Sequence, residues 1–156
     1  MIVYVDMDNV MCDFNGAKKR ALKENPGIEF PHSQVDFFRK LEPIYGMKDA
    51  LKSFIDAGID VYILTAPSTM NPMSYIEKML WVRDHLGQFW VERLIINKHK
   101  HLNKGDFLID DMASGCGQDM FEGELLQFGG SKFPNWQTVK EYVLEKHITK
   151  ALDRIV

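Results

Sequence analysis

Two aspartates, Asp6 and Asp8, come directly after a short apolar run, Ile2–Val5, at the start of the chain. Apolar strands are normally bounded by Gly, Pro or Asn, and two carboxylates this close repel one another. The pair becomes favourable if a cation lies between the acids or if one of them stays protonated, and both situations are typical of catalytic sites. A second apolar run ends in Asp110 and Asp111. The sequence therefore predicts two strands that deliver acids at their carboxyl ends.

The overall composition is that of one ordinary globular domain. The chain has 156 residues, of which 46% are hydrophobic and 26% are charged, which is enough for one core and too little for two full domains. A net charge of −3 argues against a nucleic-acid polymer as partner, although a small phosphorylated substrate stays compatible with it. We therefore predict a single domain over residues 1–156.

Cysteine usage and the first residues predict a cytoplasmic protein. The two cysteines, Cys12 and Cys116, form no CxxC pair and no disulfide framework, so a reducing compartment suits them. The first residues show neither the basic segment nor the cleavage site of a signal peptide. Because no apolar run reaches the roughly 18 residues that span a bilayer, we expect no membrane partner.

Short apolar runs alternate with helical patterns along most of the chain. The runs are nearly continuous in apolar residues, which favours strands buried on both faces and hence a parallel sheet. The predicted strands cover 2–5, 61–64, 94–96, 107–109 and 125–128. The predicted core helices cover 47–57, 74–86 and 136–147. This alternation predicts an α/β fold, a three-layer Rossmann-like parallel sheet with right-handed crossovers.

The predicted helix over 74–86 has apolar residues at helical spacing and stops at Gly87, a C-terminal signal. The members of this apolar face are Ile76, Met79, Leu80, Val82 and Leu86. We expect this face to be the buried one.

Residues 15–45 interrupt the alternation between the first strand and the next core helix. They contain a predicted helix over 17–24, then Pro26-Gly27 and the aromatic pair Phe37-Phe38. Long excursions in compact domains often form lids or binding loops, and this one begins where the first strand delivers its acids. We predict a small helical cap above the strand ends, and the alternative is a peripheral helical hairpin.

In open α/β sheets the active crevice lies at the carboxyl ends of the strands, where four predicted strands deliver polar groups. Asp6 can act as nucleophile and metal ligand, and Asp8 can exchange a proton and give its backbone carbonyl to the metal. Asp110 can complete the oxygen shell of Mg²⁺. Thr65 and Lys100 can bind the transferring phosphoryl oxygens. Any single aspartate here can instead cap a turn or helix, but the ordered set favours phosphoryl transfer.

These ordered motifs resemble the four signatures of the haloacid dehalogenase (HAD) phosphatase superfamily. The strings are Asp6-Met7-Asp8-Asn9-Val10, Ile63-Leu64-Thr65, Lys100 and Ile109-Asp110-Asp111. The resemblance implies that Asp6 forms an aspartyl-phosphate, and that Asp8 is the general acid and base. It also implies that Thr65 and Lys100 bind the phosphoryl group. The implied Mg²⁺ ligands are Asp6, Asp8 and Asp110, and Asp111 supports them.

More particular strings resemble one branch of that superfamily, the 5′(3′)-deoxyribonucleotidases or cytosolic type C 5′-nucleotidases. They are Asp13-Phe14, Leu41-Glu42-Pro43, Thr65-Ala66-Pro67, Glu77-Lys78, Trp81-Val82 and residues 105–111. The resemblance implies a deoxyribonucleoside monophosphate as substrate, with Phe14 stacking on the base and Phe38 helping to enclose it. Core packing is the alternative for Phe14. Relatives of this branch form dimers, so the resemblance also allows a homodimer.

The predicted substrate-binding set further includes Ala66 and Lys98, the latter as a second positive charge near the phosphate. Lys104 is interpreted as a solvated loop charge. Met112 stands where the family usually has Arg, and Ala66 where the animal enzymes often have Ser. These departures concern substrate selectivity and leave the phosphatase chemistry intact.

Two other functions stay open at this point. The same scaffold can hydrolyse another small phosphorylated metabolite or a phosphorylated protein. A non-catalytic module that binds phosphate or a nucleotide is the second alternative, although such a module has no need of the acid–base group Asp8.

Overall fold

The computed structural model of the protein describes residues 1–153, and its centre is a five-stranded sheet. The strands are β1 (Ile2–Val5), β2 (Asp60–Thr65), β3 (Leu94–Ile96), β4 (Phe107–Asp110) and β5 (Glu124–Gln127). Their order across the sheet is β3-β2-β1-β4-β5, and every neighbouring pair is parallel. The predicted α/β fold with a parallel sheet is confirmed, and the predicted strand ends differ from these bounds by at most one residue.

Within the described residues, five α-helices accompany the sheet. They are α1 (Phe14–Glu24), α2 (Met47–Asp56), α3 (Ser74–Leu86), α4 (Gln88–Val91) and α5 (Trp136–Leu152). Helix α3 ends at Gly87, whose φ of 92° suits a glycine. Helix α5 follows Asn135, whose side chain accepts a hydrogen bond from the backbone N–H of Thr138, and it extends beyond the predicted end at 147. The short α4 was not predicted. Within residues 1–153, no helix is long and apolar enough to cross a membrane.

A different hydrophobic cluster packs against each face of the sheet. Val3 and Val5 face a large apolar cluster. Side chains from all five helices either are members of this cluster or pack against it. Tyr4 points the other way, into a smaller cluster that includes Leu108 and Phe121, because successive side chains of a strand alternate between faces. β1 is therefore buried on both faces, as its continuous apolar sequence predicts.

The segment predicted to be a cap, residues 15–45, begins within α1 and is called the cap below; its role above the strand ends stays a prediction. This helix starts at Phe14, three residues before the predicted start, because the side chain of Asp13 accepts a hydrogen bond from the backbone N–H of Gly16 at 2.8 Å. A 3₁₀ turn at Pro31–Ser33, a bend at Gln34 and a run of turns over 35–40 follow. The backbone N–H of Asp13 donates to the carbonyl of Glu42 at 2.9 Å and closes the base of the cap.

The buried face of α3 agrees with the prediction only in part: Val82 of the predicted face is buried and Leu86 packs against the core. Ile76, a member of the predicted apolar face, is 48% exposed. The residues of α3 that are buried are Ser74, Glu77, Lys78, Trp81 and Val82. The prediction missed Ser74, Glu77 and Lys78 because the hydrophobic pattern counts only apolar residues, whereas this helix also buries polar side chains against distant segments of the chain.

Candidate active site

Three carboxylates meet at the carboxyl ends of β1 and β4. Asp6 follows β1, Asp110 ends β4 and Asp111 comes next, and each offers an oxygen within 4.8 Å of the others. The two strands are neighbours in the sheet, and the backbone N–H of Asp6 donates to the carbonyl of Ile109 at 2.9 Å. The parallel register of β1 and β4 therefore sets the spacing of these acids.

Lys100 neutralises two of the three acids. Its ammonium Nζ lies 2.7 Å from Asp6 Oδ1 and 2.5 Å from Asp110 Oδ2, and its side chain is 2% exposed. Burial lowers the pKa of Lys100, but the two carboxylates outweigh burial and raise the pKa above its ordinary value. Lys100 is therefore a fixed cation at the centre of the predicted site, and its contact with a phosphoryl group stays a prediction.

Asp8 lies apart from this cluster and pairs with a lysine that the sequence did not predict as a site residue. Lys78, from α3, is fully buried, and its Nζ lies 2.8 Å from Asp8 Oδ2 and 2.7 Å from Thr65 Oγ1. It also donates to the carbonyl of Ala66 at 2.7 Å. Among the described residues, Asp8 Oδ1 is buried without a hydrogen-bond partner. That oxygen has no donor to stabilise a negative charge, which suits a carboxyl group that carries a proton.

A helical spacing could have identified Lys78. Ser74, Lys78 and Trp81 lie at positions i, i+4 and i+7, which share one face of a helix. Trp81 is buried and its indole N–H donates to the carbonyl of Leu41 at 2.7 Å. A lysine on the same face as a buried tryptophan points inwards, and Thr65, which ends β2, is its nearest polar partner at the strand ends.

Asp8 has a raised pKa. Burial is the main cause, the ammonium of Lys78 opposes it, and the charge of Asp6 adds to it. A carboxyl group with a raised pKa can keep a proton closer to neutral pH, which a general acid must do. The surroundings of Asp8 therefore suit proton exchange.

The carboxylate cluster has the donors that a hard divalent cation requires. Burial raises the pKa of Asp110, and it raises the pKa of Asp111 to about 6 although a hydrogen bond from Asn9 opposes this. A cation bound here would favour the ionised form of each acid. Mg²⁺ prefers oxygen donors of this kind, so the donor set of Asp6, Asp110 and Asp111 fits that ion.

Phe14, which directly precedes the cap, and aromatic side chains of the cap form a cluster beside Lys78. The rings of Phe14 and Phe38 stack with their centroids 5.9 Å apart, and the centroid of Phe38 lies 5.1 Å from Lys78 Nζ. Phe37 and His32 pack against Phe14 in the same cluster. Phe38 is only 1% exposed, whereas Phe14 is half-buried. Phe14 is thus the more accessible ring, and the predicted contacts of both rings with a base stay predictions.

The remaining predicted residues lie at the edge of this arrangement. Lys98 and Lys104 are both exposed, and the predicted contact of Lys98 with the phosphate stays a prediction. Lys78 is a further lysine at the strand ends, with its Nζ 2.7 Å from Thr65 Oγ1. Met112, where the family usually has Arg, is also exposed, and its backbone N–H donates to Asp110 Oδ1 at 2.9 Å.

A cavity of about 590 Å³ opens elsewhere, between the first turns of α2 and α5. Its lining includes Tyr45, Lys48 and Trp136, but none of the predicted site residues. The titratable side chains with paired partners and raised pKa values converge at the strand ends instead, so the carboxylate cluster is the candidate active site.

Comparison with known proteins identifies the family. The family described as "5′ nucleotidase, deoxy (Pyrimidine), cytosolic type C protein" matches residues 25–133. The chain belongs to this family. It is 37% identical over 151 residues to a protein of Vibrio phage KVP40 that is provisionally assigned as a 5′(3′)-deoxyribonucleotidase, covering 94% of this chain and 86% of that protein. The human 5′(3′)-deoxyribonucleotidase of cytosolic type is 31% identical over 148 residues, covering 75% and 73%.

Membership of the deoxyribonucleotidase family confirms the predicted resemblance and makes the chain a phosphoric monoester hydrolase of the 5′-nucleotidase type. The fold agrees with that assignment. A HAD family hydrolase from Deinococcus radiodurans R1, solved with bound phosphate and sodium, has a TM-score of 0.55 and 13% identity, covering 91% of this chain and 87% of that one. The HAD-like fold predicted from the motifs is therefore confirmed.

Proposed function

We propose that the protein is a Mg²⁺-dependent 5′(3′)-deoxyribonucleotidase that works through an aspartyl-phosphate. The observation that carries the proposal is the contrast between Asp6 and Asp8. Asp6 lies in a carboxylate cluster beside the ammonium of Lys100. Asp8 has one oxygen on Lys78, and its other oxygen has no partner within residues 1–153. A nucleophile and an acid–base group require such unlike surroundings.

Asp6 is the proposed nucleophile. One of its carboxylate oxygens forms a bond to phosphorus while the bond between phosphorus and the ester oxygen breaks, which gives an aspartyl-phosphate and the leaving alkoxide. Lys100, 2.7 Å from Asp6 Oδ1, stabilises the carboxylate before the attack. The hydroxyl of Thr65 and the ammonium groups of Lys78 and Lys100 are the proposed donors to the phosphoryl oxygens.

Asp8 is the proposed general acid and base. Its carboxyl group gives a proton to the leaving alkoxide, and the resulting carboxylate then takes a proton from the water that attacks phosphorus. This second step breaks the bond between Asp6 and phosphorus and returns both aspartates to their starting states. Lys78 holds Asp8 Oδ2, so Oδ1 is the oxygen available for the proton.

Mg²⁺ is the proposed cofactor. Its proposed side-chain ligands are Asp6, Asp110 and Asp111, and the backbone carbonyl of Asp8 is a further ligand. When bound, the cation would offset the negative charge of the phosphoryl group. Asn9 supports the set, since its side-chain amide donates to Asp111 Oδ2 at 3.1 Å.

Deoxyribonucleoside monophosphates are the proposed substrates. The names of the family and of the human relative support this class. Phe14 is the proposed stacking surface for the base, because it is half-buried and stacks on Phe38, which lies next to Lys78. The cytosol is the proposed compartment.

Release of phosphate from a panel of monophosphates, with Mg²⁺ and with EDTA, tests the proposal. The panel contains 5′ and 3′ deoxyribonucleoside monophosphates, ribonucleoside 5′-monophosphates, a sugar phosphate and a phosphopeptide. We expect turnover only with Mg²⁺ and a preference for deoxyribonucleotides. Asp6→Asn should lower kcat by at least about a thousandfold, whereas the matched control Asp119→Asn, at an exposed position, should leave kcat unchanged.

The panel also separates the alternatives. A preference for the sugar phosphate or the phosphopeptide would replace the nucleotidase by another HAD phosphatase. If no compound is hydrolysed while Asp6→Asn binds nucleotides like the unchanged protein, the chain is a non-catalytic nucleotide-binding module.

A further inference from the structure

Glu77 is a buried carboxylate that binds the backbone of the cap. Its Oε1 accepts the N–H of Asp36 at 2.9 Å, its Oε2 accepts the N–H of Phe38 at 3.0 Å, and the residue is 2% exposed. A buried carboxylate is costly unless its oxygens are hydrogen-bonded. The two donors lie 41 and 39 residues away along the chain, so the contact joins two distant segments.

The segment that Glu77 binds has an unusual backbone. Asp36 has a φ of 61°, in the left-handed region that residues other than glycine rarely adopt. The backbone N–H groups of Asp36 and Phe38, one on each side of Phe37, both donate to the carboxylate of Glu77. Hydrogen bonds to an ionised acceptor are the strong ones, so Glu77 holds this turn against α3.

A second buried side chain ties the cap to the same helix. Asn71, which is 3% exposed and lies just before α3, donates from Nδ2 to the carbonyl of His32 at 3.0 Å. Its Oδ1 accepts the N–H of Met73 at 3.0 Å. The cap is thus fixed to the beginning of α3 at two positions, by Asn71 and by Glu77.

We propose that Glu77 is a positioning residue that holds the aromatic cap over the nucleoside end of the substrate. This inference rests on the proposed nucleotidase function. Glu77 and Lys78 are consecutive on α3, and Lys78 faces Asp8 while Glu77 faces the cap. Phe38, whose N–H Glu77 binds, places its ring 5.1 Å from Lys78 Nζ and stacks on Phe14. One turn of helix therefore sets the distance between the phosphate-binding end and the aromatic surface.

This arrangement has a consequence for the choice of substrate. Deoxyribose 5-phosphate has the phosphate and sugar of a deoxyribonucleoside 5′-monophosphate but lacks the base. A residue that acts through the aromatic cap affects the substrate with a base more than the one without it. A residue that only stabilises the fold affects both equally.

The test compares these two substrates in Glu77→Gln. Glutamine has nearly the same shape, but its NH₂ group cannot accept a hydrogen bond. We expect KM for the deoxyribonucleotide to rise about tenfold, and kcat/KM for deoxyribose 5-phosphate to stay within about twofold. Asn71→Ala, which removes the second tether, should raise KM in the same direction. Glu122→Gln, at an exposed position, is the matched control and should change neither substrate.

Hydrogen exchange over residues 34–41 tests the contact without any substrate. In Glu77→Gln we expect the amides of Asp36 and Phe38 to exchange at least about tenfold faster. Unchanged exchange, or an equal loss of kcat/KM for both substrates, would overturn the inference. If the unchanged enzyme does not prefer the deoxyribonucleotide to deoxyribose 5-phosphate, the proposed function fails instead, and hydrogen exchange then decides whether Glu77 holds the cap.

Discussion

The ammonium of Lys78 lies 2.8 Å from Asp8 Oδ2 and joins helix α3 to the loop after β1. The same nitrogen lies 2.7 Å from Thr65 Oγ1 at the end of β2. Lys78 thus connects three elements of the fold at the point where the phosphoryl group is proposed to bind. Lys100 makes similar contacts with the carboxylates of Asp6 and Asp110. Each of the two lysines therefore binds two polar side chains at the strand ends.

Replacing Lys78 should abolish most of the activity. Lys78→Met removes the charge beside Asp8 and Thr65 and leaves Asp8 without its ion pair, so we expect kcat/KM to fall by about 10²–10³. Lys98→Met, at an exposed lysine near the same strand ends, should change kcat/KM by no more than about twofold. Steady-state kinetics of both variants decide between the two lysines, and a larger loss in Lys98→Met would contradict the assignment of Lys78.

The parallel sheet and the acids at its edge could be predicted because both depend on local signals. β1 and β4 are short, continuous in apolar residues and buried on both faces, and each ends directly in its acids. Once the strands are parallel, their carboxyl ends share one edge, so both acids are expected at that edge. Asp6 and Asp110 come close together because β4 lies next to β1 in the sheet. The local signals thus predict the edge at which the acids lie, and the pairing of β1 with β4 sets their distance.

The polar face of α3 could not be predicted in the same way. Glu77 and Lys78 are buried because their partners come from the cap and from the ends of β1 and β2, up to 70 residues away. A hydrophobic pattern assigns charged residues to the solvent side of a helix, so it found the buried Val82 but missed Glu77 and Lys78. The predicted start of α1 was also displaced, because the apolar pattern takes no account of the side chain of Asp13, which caps the helix.

Phe14 should contribute to binding of the base. Phe14→Ala removes the accessible ring of the aromatic cluster, and stacking of a base on an aromatic ring is worth about 1–3 kcal/mol. We therefore expect KM for a deoxyribonucleoside monophosphate to rise about tenfold, with a smaller change for deoxyribose 5-phosphate. If Phe14 is only part of the core, the variant will instead lower the melting temperature and affect both substrates alike.

The indole N–H of Trp136 should matter for stability. It donates to the carbonyl of Val10 at 2.8 Å, in the buried loop that follows Asp8. Trp136→Phe leaves that carbonyl unsatisfied, which should cost about 1–3 kcal/mol of the free energy of unfolding. Tyr142→Phe removes an exposed hydrogen bond to Glu124 and should cost about 0.5 kcal/mol or less. Urea unfolding of both variants measures the difference, and equal losses would refute the role of the buried bond.

His32 should make the protein less stable in acid. Burial lowers the pKa of His32, the charge of Lys18 adds to this, and Asp8 opposes it. Within residues 1–153, Nδ1 of His32 is buried without a hydrogen-bond partner. Because the pKa is lower in the folded state than in the unfolded state, the unfolded state binds the proton more tightly. Stability contributed by the neutral ring is therefore present above about pH 6.5 and is lost as the pH falls through the lowered folded-state pKa.

Replacing His32 by a residue that does not titrate should remove this loss. His32→Phe places an apolar ring against Phe14 and Phe37, which already pack on the imidazole. We expect its melting temperature relative to the unchanged protein to be about 2 °C higher at pH 5 than at pH 8. His32→Gln, which keeps a polar group but does not titrate, should show the same pH-dependent gain at a lower overall stability. A relative melting temperature that does not depend on pH, or one that falls towards pH 5, would show that His32 does not control acid stability.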